Sequence, residues 1–288
     1  MVMKHTCNAF GLLSASLLIA VSPLFSTTVE AKDWKSVTIA TEGSYEPWNL
    51  TRSDGQLDGF EPQLIRNICA RIKIECKFVT QDFDGLIPGL RAGKFDVLMD
   101  ALSITPERQK VIAFSRPYAS TPAAFVSVDS KILPKPVGQG ALVKLTGDNK
   151  TDKQTVDELR KYLKGKTIGI QSGTIYTGFV YDNFKDIATI RAYKTAPEHD
   201  LDLVAGRIDV AFDDATYFVS ALAKADNKSL GFTGPKIGGS IWGPGEGLGF
   251  RTADSDLKAK FDAGIAAALA DGTVKSLSEK WFKVDVAP

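Results

Sequence analysis

The sequence predicts an α/β protein of two lobes. Three observations carry that expectation. Short β-rich runs alternate with amphipathic helical ones along most of the chain. A helix–glycine–strand–acid unit occurs twice, once in each half. The chain beyond a leader-like N-terminus is also long for one core, because domains usually run about 100–150 residues.

The leader comes first. Lys4 and His5 precede an apolar run over residues 9–24, and a small-residue site follows at Val29-Glu30-Ala31. Residues 1–31 therefore read as a signal peptide cleaved near Ala31, and the destination as the periplasm. No later apolar stretch approaches the roughly eighteen residues of a membrane span. Removing the leader takes Cys7 with it and leaves Cys69 and Cys76. Two cysteines in an exported chain suggest one disulfide. It would staple the end of a helical stripe (Leu64, Ile65, Ile68, Ile72) to a strand-like run at 76–79.

The elements follow in order. A strand is expected at 37–40, then the helix at 64–72 and the strand at 76–79. A second helix starts near Asp82, carries Leu86, Ile87 and Leu90 on one face, and stops at Gly93 before a strand at 95–99. The repeat is seen here: Leu90-Arg91-Ala92-Gly93-Lys94-Phe95-Asp96-Val97-Leu98-Met99-Asp100 matches Leu203-Val204-Ala205-Gly206-Arg207-Ile208-Asp209-Val210-Ala211-Phe212-Asp213. In each copy glycine ends the helix and an apolar strand follows, as a buried parallel strand requires. Ligands of open α/β sheets sit beyond the carboxyl ends of strands, which places residues 100–103 and 213–214 on two facing rims. Between the halves lies a polar segment at 130–149, then a charged helix near 152–163 and a strand at 167–170. Glycine-rich residues 238–245 fit neither GxGxxG nor a P-loop, so a hinge or connecting loop is expected. A strand at 247–251 and two helices close the chain, with stripes at Leu257, Phe261, Ile265, Ala268 and Leu269, and at Val274, Leu277 and Trp281.

Composition excludes some functions. Lys+Arg is 35 against Asp+Glu 34, a net of +1 without a basic stripe, so no nucleic-acid partner is expected. His199 is the only histidine beyond the leader, and beside Glu198 and Asp200 it reads as a solvated surface residue. No metal or cofactor is expected, since neither CxxC spacing nor clustered histidines occur. Glu42, Asp100, Asp213 and Asp214 could pair as carboxylates for glycoside chemistry, yet carboxylates also bind cations. Ser103-Ile104-Thr105-Pro106-Glu107-Arg108 offers a hydroxyl, helix N-terminal amides and a guanidinium, a set suited to a carboxylate. It would equally make a plain helix cap with a surface arginine.

Four motifs together resemble one family: Thr41-Glu42-Gly43-Ser44-Tyr45-Glu46-Pro47-Trp48, Leu57-Asp58-Gly59-Phe60-Glu61, Asp84-Gly85-Leu86-Ile87-Pro88-Gly89-Leu90 and the 103–108 motif. The resemblance is to family 3 extracellular solute-binding proteins, especially lysine/arginine/ornithine/histidine and opine (octopine, nopaline) binders. It covers essentially the whole mature chain, and the Cys69–Cys76 spacing matches the family disulfide. It implies a type II periplasmic binding protein fold, two α/β lobes joined by two crossover hinge strands. Lobe I would be 32–118 and 246–288, lobe II 123–236, and the hinge 119–122 and 237–245. It implies no catalysis but capture of a small ligand by a monomer for the membrane permease of an ABC importer. By resemblance, Arg108 and Ser103 look like the α-carboxylate clamp, with Thr174 of Gln171-Ser172-Gly173-Thr174 closing from lobe II. Asp214 looks like the α-ammonium partner, Tyr45 and Phe83 like aromatic walls, and Glu42 like the acid facing the ligand's distal cation. Ala101, where amino-acid binders have a second serine, and the insert over 130–166 look opine-like. Free basic amino acid and opine both remain open, as does the role of Asp100. The same fold also carries cyclohexadienyl-dehydratase-like enzymes and binders of other polar amino acids.

Overall fold

In the computed structural model, residues 1–3, 32–134 and 142–288 are described. The expected leader, apart from its first three residues, and residues 135–141 of the polar segment lie outside them. By its contacts the chain divides into Met1–Lys32 and Asp33–Pro288, and every described element belongs to the latter.

The first half opens with β1 (Ser36–Thr41), whose inner positions Val37 and Ile39 are buried. A small antiparallel sheet of β2 (Ser44–Tyr45), β3 (Asn49–Thr51) and β4 (Leu57–Asp58) follows. Helix α1 (Phe60–Ile72) buries Phe60, Leu64, Ile65 and Ile68, each burial contributing about 1.5–3 kcal/mol. The disulfide Cys69–Cys76 then ties α1 to β5 (Glu75–Thr80), as the cysteine count suggested. Helix α2 (Phe83–Arg91) leads into β6 (Val97–Leu98), a shorter strand than the expected 95–99. The short helix α3 (Pro106–Gln109) and β7 (Ala113–Phe114) complete this half.

The second half contains β8 (Ala123–Ser127), β9 (Leu142–Lys144), α4 (Asn149–Leu163), β10 (Thr167–Gln171), α5 (Ile175–Phe184), β11 (Thr189–Tyr193), α6 (Ala196–Val204), β12 (Val210–Asp214), α7 (Ala215–Ala223) and β13 (Gly231–Gly238). The chain then returns through β14 (Gly249–Phe250) and ends in α8 (Ser255–Ala270) and α9 (Thr273–Phe282). Leu257, Phe261, Ile265 and Ala268 of α8 are buried as their spacing requires. Gly264 lets α8 approach α1, because a Cβ there would meet Ile68 at 2.6 Å. In α9, Phe282 enters the core while Trp281 stays half-buried.

Besides that small sheet, two larger ones form, one in each lobe. The first has the order β5-β1-β6-β14-β7, the second β11-β10-β12-β8-β13-β9. The chain leaves the first sheet after Phe114 and re-enters it at Gly249, and the two crossing links pair where Ala119 meets Glu246. The two copies of the repeat occupy equivalent places: β6 runs parallel to β1 and β12 parallel to β10. Gly93 and Gly206 both adopt the left-handed conformation, with φ of 74° and 67°. Their strand ends, carrying Asp100 and Asp213–Asp214, point toward one cleft.

Candidate functional site

The cleft is lined by every expected contact residue except Gly173. Ile175, Tyr176 and Glu246 line it as well.

From the first lobe, β1 delivers Glu42 and the β6 strand end delivers Asp100, Ala101 and Ser103. Ala101 is held at φ 43°, a left-handed conformation that alanine rarely takes. What holds it is buried Glu61, whose carboxyl accepts from Ala101 N–H at 2.7 Å, from Asn49 Nδ2 at 3.1 Å and from the Tyr118 hydroxyl. Sequence reasoning missed this support, for its three donors come from separate elements. Asp100 is buried and accepts from Asn49 Nδ2 (2.7 Å), Thr41 Oγ1 (3.1 Å) and Glu42 N–H (3.3 Å). Burial, then the charges of Glu42 and Glu61, push its carboxyl well above the usual range. Burial likewise pushes Glu42 up to about 8, against the hydrogen bond it accepts from Gln171.

Thr105 caps α3 by accepting from Arg108 N–H at 3.2 Å, which is the helix-cap alternative realised. Arg108 nevertheless turns into the cleft. Its Nη1 donates to Ser103 O at 2.9 Å, its Nη2 to Gly173 O at 3.3 Å, and the guanidinium lies 5.9 Å from the Phe83 ring centre. Burial lowers it to about 10. It is the only basic side chain among the described residues lining the cleft.

From the second lobe come Gln171, the N-terminal turn of α5 and Asp214. Gln171 Nε2 donates to Glu42 at 2.7 Å, and Thr174 Oγ1 donates to Gln171 O at 2.9 Å. Gly173 lies just behind the cleft wall at φ 72°, where a Cβ would stand 2.2 Å from Asp84 Oδ1. Asp214 is the N-cap of α7, accepting from Thr216 N–H (2.7 Å) and Tyr217 N–H (3.0 Å), and its other oxygen accepts from Thr121. Burial raises its pKa even so.

The lobes touch directly across the cleft. The Tyr45 hydroxyl donates to Asp213 and its ring stacks on Tyr217 at 4.9 Å. Trp48 Nε1 donates to Thr216 at 3.0 Å, Ser172 to Asp84 at 2.6 Å, and Lys194 pairs with Asp82 at 2.8 Å. The clamp is closed.

The expectation for His199 is overturned. It is fully buried, with Nε2 3.1 Å from Asp213 and Nδ1 3.1 Å from Asp200, the latter an ion-pair approach without hydrogen-bond alignment. The reason is helical periodicity, since Ala196, His199 and Leu203 form the buried stripe of α6. Burial would lower the imidazole, but the two carboxylates outweigh it and hold His199 at about 9. No cluster of three or more metal-ligating side chains occurs among the described residues.

Two sheet-bearing lobes closed over a cleft of convergent polar groups define a ligand-capturing clamp. The chain belongs to the bacterial extracellular solute-binding proteins, family 3, whose profile matches residues 37–284. It is 41% identical to an octopine-binding periplasmic protein of Rhizobium meliloti, over 88% of this chain and 92% of that one. It is 33% identical to an L-arginine-binding protein of Pseudomonas aeruginosa, over 93% and 95% of the two chains. A solved structure similar to it is a periplasmic His/Glu/Gln/Arg/opine family-binding protein from Silicibacter pomeroyi in complex with lysine. That match has a TM-score of 0.70 at 30% identity and covers 88% of this chain and 99% of the other.

Proposed function

We propose that this chain is the periplasmic substrate-binding component of an ABC importer, capturing basic amino acids or arginine-derived opines and delivering them, as a monomer, to a membrane permease. One observation carries the reading. The cleft gathers four acids (Glu42, Asp100, Asp214 and Glu246) around a single cation, Arg108. A bound carboxylate satisfies Arg108, and cationic nitrogens satisfy the acids, whereas a neutral ligand would leave buried carboxyls unpaired.

In this reading Arg108 and Ser103 hold the α-carboxylate, with the α5 N-terminus behind Gly173 and Thr174 adding backbone donors. Asp214 takes the α-ammonium, Tyr45 and Phe83 flank the aliphatic stem, and Glu42, steadied by Gln171, meets the distal cation with Asp100 behind it. Lobe I spans 32–118 and 246–288 and lobe II 123–236, with bending at 119–122 and 237–245. Support for the ligand class comes from the names of the octopine- and arginine-binding relatives.

A thermal-shift screen tests it. L-arginine, L-lysine, L-ornithine, L-histidine, octopine or nopaline should raise the melting point, by up to several degrees at saturating ligand. A shift with L-glutamate or L-glutamine and none with the cationic set would overturn the proposal.

A further inference from the structure

Glu246 has a position that the roles assigned so far do not explain. Its backbone pairs with both Ser103 and Ala119, so it sits where the two crossing links meet. The flanking glycines fix it there. At Gly245, with φ 129°, a Cβ would stand 2.3 Å from Ala119 O, and at Gly247 a Cβ would stand 2.9 Å from Ile104 Cδ1. The side chain is 5% exposed and faces the cleft beside Asp214.

Its hydrogen bonding is incomplete. Oε1 lies 3.3 Å from Thr121 Oγ1, but Thr121 has one hydroxyl hydrogen and gives it to Asp214 in the closer contact. Oε2 is buried with no partner. Arg108 shares the cleft yet is directed at Ser103 O and Gly173 O. A buried carboxyl oxygen in this condition carries its full desolvation penalty unless something entering the cleft donates to it.

We propose that Glu246 is a second acceptor for the ligand's α-nitrogen, sharing that cation with Asp214 through the Thr121 bridge. The inference rests on the reading of the ligand as an amino-acid-like cation. A primary ammonium has three N–H donors and the secondary ammonium of an opine has two. Two facing carboxylates therefore accept from either, which makes the pair tolerant of an N-substituent. Burial and the charge of Asp214 push the free Glu246 carboxyl up to about 8, so it holds a proton near neutral pH. An arriving ammonium takes the place of that proton, and the carboxylate that remains accepts its N–H.

Titration calorimetry of the wild type and Glu246→Gln at pH 7, in two buffers of different ionisation enthalpy, tests this. The ligands are L-arginine and 5-guanidinopentanoic acid, which is arginine without its α-amino group. The expected result is a loss of about tenfold or more for L-arginine, the scale of one charge-assisted hydrogen bond, with the deaminated ligand unchanged within about twofold. Protons released per L-arginine bound should fall by close to one. Equal losses for both ligands, no loss for L-arginine, or a lowered melting point of the ligand-free variant would overturn the role. If the wild type binds none of L-arginine, L-lysine, L-ornithine, L-histidine, octopine and nopaline in the same calorimeter, the cationic-ligand reading falls too; if it binds and only the variant's expected changes are missing, Glu246 alone is excluded.

Discussion

The two copies of the helix–glycine–strand unit share a plan and diverge at their last residue. In both, an aspartate at the strand entrance clamps the neighbouring parallel strand. Asp96 Oδ2 accepts from Thr38 N–H at 3.0 Å while Asp96 N–H donates to Thr38 O at 2.8 Å. Asp209 does the same with Thr167, at 2.7 and 2.9 Å. Four residues later the copies part. Asp100 accepts hydrogen bonds only from neutral groups and lies within reach of the charges of Glu42, Glu61 and, across the cleft, Arg108. Asp213 meets the His199 imidazole, the Tyr45 hydroxyl and the Asp214 N–H, so its charge is balanced inside the protein. One copy ends on the cleft, the other at a contact between the lobes.

The largest expected effect separates these two acids directly. His199→Ala strips Asp213 and Asp200 of their cation and should cost about 3–5 kcal/mol in urea unfolding at pH 7. Asp100→Asn should change stability by no more than about 1 kcal/mol, because burial already penalises the charge that the substitution removes. Similar losses for both would erase the contrast. Glu42→Gln comes next: it removes the acid that Asp100 backs, so affinity for L-arginine or octopine should drop by about tenfold. Calorimetry would show that Glu42 has no part in charge recognition if the variant bound these ligands as the wild type does.

A smaller, continuous effect is the pH dependence of the ligand-free protein. His199 is held at about 9 against an ordinary 6.5, so its contribution is full below about 6.5 and is lost as pH rises through 9. Glu42 and Glu246 are held at about 8 against an ordinary 4.5, so each costs stability increasingly between those values. Both signs agree. Denaturant midpoints should fall steadily from pH 5 to pH 9, with the fall above pH 8 missing in His199→Ala, and a rising profile would contradict the assignments.

Part of the cleft's lining was legible in the sequence. The repeat's strand ends follow from α/β topology, which places strand ends at a cleft, while residue 42 and the 103–108 motif were placed there by the family resemblance. What stayed hidden was assembled from distant pieces. Glu61 matters through Ala101, Asn49 and Tyr118, on three separate elements. Glu246 matters through a link that only the fold brings against Ser103 and Ala119, although an acid between two glycines was a signal that could have been weighed. His199 was readable in principle, for the stripe of Ala196, His199 and Leu203 is a buried helix face, but adjacent charges suggested solvent.

Near neutral pH, Glu42 and Glu246, both held at about 8, keep protons that a bound cation should displace. The affinity of the unmodified protein for L-arginine or octopine, measured by calorimetry from pH 6 to pH 8, tests it most directly. Each carboxyl that releases its proton adds up to about tenfold per pH unit, so affinity should climb by at least tenfold over that range with net proton release. A flat or falling profile, or proton uptake on binding, would contradict it.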